Sequence, residues 1–295
     1  MKLGVHLVDF DLPGGPARLG ATLGQVARAA EDAGVDNLSA MDHYLQLDMA
    51  GGAQAPMLEG YTTLAFLAAH TRTVELQLLV TGVTYRHPAL LAKIVTTLDV
   101  LSGGRAMLGV GAAWYEREHA AFGVPLPPLA ERFERLEETL QIVLQRWSAD
   151  DGPYQSRHYL LAETLNVPQA LSDPHPPIMI GGGGERKTLR LVARYGDACN
   201  LFAGPHVDPA DIKAKLDVLA AHCEREGTDY GRLRKSVLWT GPLAPGADGG
   251  RAFVDAMARL AEGGIHEVHG RPFGPDPVGY IQGLGEHVVA GLRGI

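Results

Sequence analysis

Two groups of residues in this sequence have the types and spacing that catalysis and ligand binding require. Asp42 and His43 follow the short segment 36–41, and four consecutive glycines follow the apolar segment 177–180: Gly181, Gly182, Gly183 and Gly184. An imidazole can take or give a proton near neutral pH, and a neighbouring carboxylate can orient it. Consecutive glycines let the backbone approach a ligand closely, and the N–H groups of the helix that follows attract an anion.

Each group also has a purely structural interpretation. A histidine at a strand end is more often a hydrogen-bonding group than a catalyst, and a glycine-rich turn can simply fit a tight strand-to-helix corner. Four glycines exceed what a turn needs, however. Arg186 and Lys187 also place positive charge in the first helical turn, where a helix prefers acids. A bound phosphate explains both features of this segment.

Both groups must lie at the same end of one fold if they are to act together. The chain alternates short apolar runs with longer amphipathic stretches, which gives about eight βα units. This pattern predicts an α/β protein, a (β/α)8 TIM barrel over residues 1–295, whose active face is formed by the carboxyl ends of the strands. The predicted strands are 3–8, 36–41, 74–83, 106–111, 177–182, 197–202, 235–241 and 265–270.

One segment is too long to be an ordinary connection. Residues 150–176, rich in Pro, Asp and His, separate the predicted fourth and fifth strands. We expect an insertion that packs on the barrel, with a hairpin around residues 157–167, because structureless connections of this length are rare inside compact domains. No short repeat or second domain is predicted.

Composition excludes several classes of function. The 295-residue chain has a formal net charge of -8, which argues against binding of nucleic acid through its phosphates. No apolar run reaches the length of a membrane span, and the N-terminus lacks the features of a signal peptide, so we expect a cytoplasmic protein. Cys199 and Cys223 have no redox or metal-binding spacing, and no HExxH motif occurs, so no metal is predicted.

Three segments resemble a known family. The sequences AMDHY at 40–44, 80–125 and 176–202 are similar to the luciferase-like monooxygenase superfamily, in the branch that uses the deazaflavin coenzyme F420. The resemblance covers nearly the whole chain and the order of its motifs. It implies a (β/α)8 barrel that holds the cofactor ring in its mouth and the phosphate near the later strands, and it implies a homodimer.

The resemblance also implies roles for individual residues. His43 is expected to approach the reactive face of the ring as the catalytic proton carrier, with Asp42 contacting the ring or orienting the imidazole. A non-prolyl cis peptide is expected at Gly82-Val83, under the middle ring. The expected cofactor contacts are Asp42, Thr81, Gly82, Val83, Gly111, Ala112, Trp114, Gly181, Gly182, Gly183, Gly184 and Asn200.

The chain departs from the family pattern at two places. Ala113-Trp114 stands where relatives often have Gly-Trp, so an added methyl narrows the approach to the cofactor there. The Trp and Glu that sugar-phosphate-oxidising relatives use have no secure match after His43, so that specific activity is not predicted. We expect the substrate to stack over the ring under Trp114 and Trp239.

The sequence therefore predicts an F420-dependent oxidoreductase that transfers a hydride to or from a small organic molecule. A deazaflavin carries two electrons as hydride, so the protein must supply orientation and a proton. One alternative is an FMN-dependent monooxygenase of the same superfamily, supplied with reduced flavin by a partner reductase. A second is a flavin carrier without catalytic activity.

Overall fold

The computed structural model describes residues 1–243, 245–272 and 274–295. Its strands, in chain order, are β1 Lys2–Leu7, β2 Asn37–Ala40, β3 Glu75–Leu78, β4 Thr81–Gly82, β5 Ala106–Gly111, β6 Tyr154–Gln155, β7 Leu160–Leu161, β8 Ile178–Gly181, β9 Ala198–Ala203, β10 Arg234–Trp239 and β11 Glu267–Gly270. Its α-helices are α1 Pro16–Asp32, α2 Gly60–Ala68, α3 Pro88–Ser102, α4 Glu116–Phe122, α5 Leu129–Arg146, α6 Thr188–Tyr195, α7 Pro209–Glu226, α8 Ala247–Glu262, α9 Pro277–Leu284 and α10 Ala290–Arg293.

The strands form a closed parallel barrel. Their order is β3-β2-β1-β11-β10-β9-β8-β5-β4, and pairing of β3 with β5 at Leu76 and Ala106 completes the circle. Strands β3 and β4 are two parts of one barrel position, so the barrel has the eight positions that the sequence predicts. The (β/α)8 fold is thereby confirmed, and the polar residues after each strand lie at one face.

The break between β3 and β4 contains a non-prolyl cis peptide bond. This bond joins Leu79 and Val80, so the expected position at Gly82-Val83 is wrong. Thr81 and Gly82 already pair with Val110 and Gly111 of β5, as the regular strand β4. The irregular backbone therefore lies between the two strand segments and not after them.

Helix boundaries follow the local sequence signals closely. Helix α3 begins at Pro88, whose fixed φ suits the first turn, and it ends at Gly103, which adopts the left-handed φ of 76°. His87 is extended before the proline, and its Nδ1 accepts a hydrogen bond from the Ala89 N–H at 3.2 Å. In the described part of the chain, no helix has the length and apolarity needed to cross a bilayer.

The segment 150–176 is tied to the barrel by buried polar contacts. It contains the small antiparallel pair β6–β7, in which Tyr154 faces Leu161. The predicted hairpin at 157–167 therefore starts too late, because the turn falls at 156–159, where the Ser156 N–H donates to the Tyr159 carbonyl. At the other end of the segment, the carboxylate of Asp99 in α3 accepts hydrogen bonds from the N–H groups of Leu171 and Ser172, at 2.7 and 3.0 Å.

We expect Asp99→Ala to lower the free energy of unfolding by about 2–4 kcal/mol, because the buried carboxylate also accepts from the Ala106 N–H and the Ser172 hydroxyl. Urea unfolding followed by circular dichroism measures the change. The matched control is Asp217→Ala, which removes an exposed carboxylate whose one ion pair among the described residues is with Lys213, and which should cost less than about 0.5 kcal/mol. Equal losses in the two variants would contradict the anchoring role of Asp99.

Candidate functional site

A cavity of about 320 Å³ opens at the carboxyl ends of the barrel strands. Eleven of the twelve residues expected to contact a cofactor line it, and Val83 does not. The Val83 side chain is packed in the core, and its N–H donates to the Gly111 carbonyl at 3.0 Å. The lining residues that the sequence did not single out as cofactor contacts are His43, Leu79, Val80, Tyr85, Ala113, Leu129, Phe133, Thr188, Phe202 and Leu238.

The side chain of Val80 occupies a recess that glycines create. A β-carbon at Gly111 or at Gly181 would lie 2.9 Å from Val80 Cγ2, which is closer than real side-chain contacts. At Gly109 it would lie 2.0 Å from the Leu78 carbonyl oxygen. These three glycines are therefore required by the irregular segment between β3 and β4, which supplies an apolar surface to the cavity.

The remaining glycines of the run form the corner between β8 and α6. Gly182 has a φ of 112°, which favours glycine, and its N–H donates to the Asn200 carbonyl at 3.0 Å. A β-carbon at Gly184 would lie 2.9 Å from Thr188 Oγ1. No side chain in the described residues caps the start of α6 at Lys187. The corner thus presents backbone to the cavity beside a helix N-terminus, as anion-binding loops do.

The Asp42 side chain is buried, and its hydrogen bonds are to Gly82 and Arg86. Its Oδ2 accepts from the Gly82 N–H at 2.9 Å and from Arg86 Nη1 at 2.8 Å, while Arg86 also pairs with Glu59 at 2.6 Å. Burial raises the pKa of Asp42 against the opposing effect of Arg86. The Oδ1 atom is buried with no hydrogen-bond partner in the described structure, which leaves an acceptor for a ligand at the cavity wall.

The carboxylate that orients His43 belongs to Glu118 in α4. Glu118 is fully buried, and its Oε2 lies 3.1 Å from His43 Nδ1. The same carboxylate accepts from the backbone N–H groups of Tyr44 and Leu45 and from the Tyr85 hydroxyl. Burial acts to raise the pKa of Glu118, but the hydrogen bonds from His43 and Tyr85 outweigh it, so the pKa is lowered. The expectation that Asp42 orients the imidazole is replaced by this contact.

The ionised state of Glu118 fixes the tautomer of His43. A carboxylate only accepts hydrogen bonds, so His43 Nδ1 must carry the proton, and Nε2 keeps its lone pair when the ring is neutral. The imidazole makes T-shaped contacts with the rings of Trp114 and Tyr115, whose centroids each lie 5.6 Å from its own. His43 is therefore held by Glu118 and by this pair of aromatic rings, and Nε2 is left for a reactant.

Glu118 and Arg86 are site residues that the sequence did not predict. Glu116 and Glu118 both lie in the first turn of α4, and no local pattern shows that only Glu118 is buried. Arg86 was not predicted as a site residue either, yet it forms an ion pair with the Asp42 carboxylate. In both cases the functional contact joins segments that are far apart in the chain, 75 residues in the case of His43 and Glu118.

Ala113 adopts a backbone conformation that residues other than glycine rarely adopt. Its φ is 57°, the one positive φ outside glycine in the described residues. The Ala113 carbonyl accepts a hydrogen bond from Arg132 Nη1, and the residue lines the cavity. Ala113, which stands where the Gly-Trp pattern has glycine, is therefore a residue of the cavity wall.

A second chamber of about 470 Å³ adjoins the first. The two share five lining residues, His43, Leu79, Trp114, Phe202 and Leu238. Trp239, His6 and Arg271 line only the second chamber, and Trp114 lines both. Asp9 lies outside both chambers, is exposed, and accepts a hydrogen bond from the Asp11 N–H at 2.9 Å.

The site contains no group of side chains suited to a metal. Across residues 1–243, 245–272 and 274–295, no three His, Cys, Asp or Glu side chains come together as metal ligands would. Cys199 and Cys223 are both buried free thiols, and burial raises the pKa of Cys199 to about 12. The reactive group that the geometry offers is the imidazole of His43 between two chambers.

Comparison with known proteins identifies the family of this chain. Residues 2–271 match the family model described as luciferase-like monooxygenase. An F420-dependent glucose-6-phosphate dehydrogenase of Kineococcus radiotolerans is 29% identical over 216 residues, 73% of this chain and 62% of that protein. The pyrimidine monooxygenase RutA of Allorhizobium ampelinum is 26% identical over 177 residues, 59% of this chain and 47% of that protein. The chain thus spans about half to three fifths of the length of such curated relatives.

Among solved structures, an F420-dependent secondary alcohol dehydrogenase in complex with an F420-acetone adduct superimposes with a TM-score of 0.81. The alignment covers 99% of each chain at 18% sequence identity. At that identity the likeness establishes the shared fold.

We expect Glu118→Gln to lower the free energy of unfolding by about 2 kcal/mol at neutral pH, because the amide cannot satisfy all four donors. The folded-state pKa of Glu118 is lowered, so its stabilisation is present above the ordinary carboxyl pKa and is lost as pH falls through the folded value. The difference between the wild type and the variant should therefore shrink in acid. Urea titrations across pH measure it.

The matched control for this prediction is Glu116→Gln in the same helical turn. Glu116 is exposed, so its replacement should change stability little at any pH. A Glu118→Gln deficit that stays constant from neutral pH into the acid range would contradict an ionised, hydrogen-bonded Glu118.

Proposed function

The chain belongs to the luciferase-like monooxygenase family, and we propose that it transfers a hydride between coenzyme F420 and a small organic substrate. The observation that carries this proposal is the position of His43, which lines both chambers and keeps one basic nitrogen free of Glu118. A cofactor in the first chamber and a substrate in the second would meet at this residue. The names of the F420-dependent relatives support the choice of cofactor.

The residues of the first chamber fit a deazaflavin. The corner Gly182–Gly184 at the start of α6 suits the phosphate, and Val80 offers an apolar surface to the ring. The unpartnered Oδ1 of Asp42 would accept a hydrogen bond from a ring N–H. When bound, F420 supplies a carbon atom that accepts or releases a hydride.

The chain's own residues would handle the proton. In the oxidising direction, a substrate C–H bond gives up its hydrogen with both electrons, and the substrate O–H proton passes to Nε2 of His43. Glu118 holds the imidazole by Nδ1 and stabilises the positive charge that it gains. Leu79, Phe202 and Leu238 surround the junction between the chambers and would exclude water from it.

A second candidate is an FMN-dependent monooxygenase that receives reduced flavin from a reductase. The name of one relative, an FMNH2-dependent dimethylsulfone monooxygenase, supports this candidate. A carrier without catalytic activity would need no second chamber. The second chamber beside His43 therefore favours an enzyme.

We expect purified protein to bind F420 at about micromolar concentration, with much weaker binding of FMN. Quenching of tryptophan fluorescence reports binding because Trp114 lines the cavity. Trp114→Phe is the control, and it should reduce the quenching signal, while calorimetry still detects the cofactor. Tight FMN binding with negligible F420 binding would overturn the proposal in favour of the monooxygenase.

We expect His43→Ala to reduce turnover by about 100-fold or more, because the variant lacks the group that carries the proton. F420 affinity should stay within about twofold, since the phosphate corner and the Val80 surface remain. The reaction is followed by the absorbance of the deazaflavin with a panel of alcohols and ketones. His206→Ala, which alters an exposed histidine outside both chambers, is the control, and equal turnover in the two variants would mean that His43 has only a structural role.

A further inference from the structure

The two oxygens of the Glu118 carboxylate serve different partners. Oε1 accepts hydrogen bonds from the backbone N–H groups of Tyr44 and Leu45. Oε2 accepts from His43 Nδ1 and from the Tyr85 hydroxyl. His43 and Tyr85 therefore share one oxygen, and a donor that takes up part of its negative charge leaves less for the other. The His43 contact, at 3.1 Å, is at the long end of the range for an N–H···O hydrogen bond.

The hydroxyl hydrogen of Tyr85 must be donated to Glu118. The hydroxyl also lies 3.4 Å from Nδ1 of His119, but that nitrogen lies 2.7 Å from the Tyr115 carbonyl, which can only accept. His119 Nδ1 therefore carries its own hydrogen and cannot accept one from Tyr85. Burial raises the pKa of Tyr85, and the hydrogen bond to Glu118 raises it further, so the phenol stays protonated at physiological pH.

Packing holds the Tyr85 ring in place independently of its hydroxyl. The ring stacks on His119 with centroids 4.6 Å apart, and the Tyr44 ring makes a T-shaped contact with it at 5.1 Å. A β-carbon at Gly82 would lie 2.9 Å from Tyr85 Cδ2, so the ring fits against bare backbone. The side chain also lines the first chamber together with His43. Tyr85→Phe should therefore keep the shape of this wall and remove only the donor.

The side-chain hydrogen bonds of Glu118 in the described structure come from His43 and Tyr85. Further titratable and charged groups surround this pair on the neighbouring elements. They are Asp42 and Tyr44 after β2, Arg86 after β4, Tyr115 and His119 at α4, His6 in β1 and Arg271 after β11. Arg86 already forms ion pairs with Asp42 and Glu59. Tyr85 is thus the side chain that shares the Glu118 carboxylate with His43.

We propose that Tyr85 is a positioning residue that limits the basicity of His43, by donating to the carboxylate oxygen that His43 also uses. A carboxylate bonded to the imidazole alone would stabilise the imidazolium more strongly, and a ring that is already charged cannot accept a proton. Sharing the oxygen with Tyr85 favours the neutral ring, whose Nε2 can accept one. The inference deepens the proposed function and rests on it, because the basicity of His43 affects catalysis only if His43 carries the proton.

We expect Tyr85→Phe to raise the midpoint of the His43 titration, the pH at which half of the rings are charged, by about 0.5–1 unit, because Oε2 then serves the imidazole alone. Nuclear magnetic resonance of the full chain, with isotope-labelled histidine, measures this midpoint. The signal of His43 is identified by its loss in His43→Ala. An unchanged or lower midpoint in Tyr85→Phe would overturn the inference.

The matched control is Tyr115→Phe. The Tyr115 ring also contacts His43, with centroids 5.6 Å apart, but its hydroxyl is buried without a hydrogen-bond partner in the described structure. This variant should therefore keep the wild-type midpoint. An equal rise in Tyr85→Phe and Tyr115→Phe would mean that the loss of any nearby hydroxyl has this effect, and it would overturn the inference.

A double-mutant cycle tests whether the effect passes through Glu118. In the Glu118→Gln background, Tyr85→Phe should leave the midpoint unchanged, because the amide oxygen carries no charge for the two side chains to share. An equal rise with and without the carboxylate would show that Tyr85 acts on His43 directly, which contradicts the proposed route.

Replacement of Tyr85 by 3-fluorotyrosine, incorporated at this position alone, should have the opposite effect. The fluorine atom makes the phenol a stronger donor and changes its shape little, so the midpoint should fall below that of the wild type. A midpoint that rises with the stronger donor would also overturn the inference.

The titration needs neither cofactor nor substrate, so it separates this inference from the proposed function. If the midpoint rises in Tyr85→Phe while no substrate reacts with F420, the inference holds and the proposed hydride transfer fails. If turnover occurs, the acid limb of its pH profile should move upward in Tyr85→Phe by the same amount as the midpoint. A profile that stays in place while the midpoint rises would contradict His43 as the proton carrier and support the inference.

Discussion

The site depends on one buried carboxylate that serves several donors at once. Glu118 accepts hydrogen bonds from the imidazole of His43, from two consecutive backbone N–H groups after β2 and from the Tyr85 hydroxyl. A buried charge is tolerated only when it is fully hydrogen-bonded. The requirement to satisfy Glu118 therefore fixes the loop after β2 against α4. It also fixes which nitrogen of His43 faces a reactant.

The Val80 side chain imposes a second constraint, on the shape of the cavity wall. Glycines at 109, 111 and 181 leave the space into which the segment between β3 and β4 turns. The valine then forms part of the wall of the first chamber. The charge of Glu118 thus orients His43, and the packing of Val80 shapes the adjoining wall of the first chamber. Both are in place before a ligand binds.

Much of the fold could be predicted because its signals are local. The period of apolar residues located the strands, and Pro88 with Gly103 set the ends of α3 to the residue. Asp42 and His43 were identified because strand ends in a barrel meet at one face. Glu118 escaped prediction, since its partners lie far away in sequence and Glu116 beside it looks equivalent. The cis bond at Leu79-Val80 and the early start of the 154–161 hairpin likewise depend on tertiary packing and turn position.

The proposed function depends on the two chambers, because a hydride moves only between reactants held in contact. His43 belongs to both chambers, and the glycine corner and Val80 belong only to the first. The most direct measurement is a crystal structure of the protein with F420 bound. We expect the ring on Val80 beside Asp42 and His43, with the phosphate at 182–184. A ring in the second chamber, or a phosphate away from that corner, would contradict it.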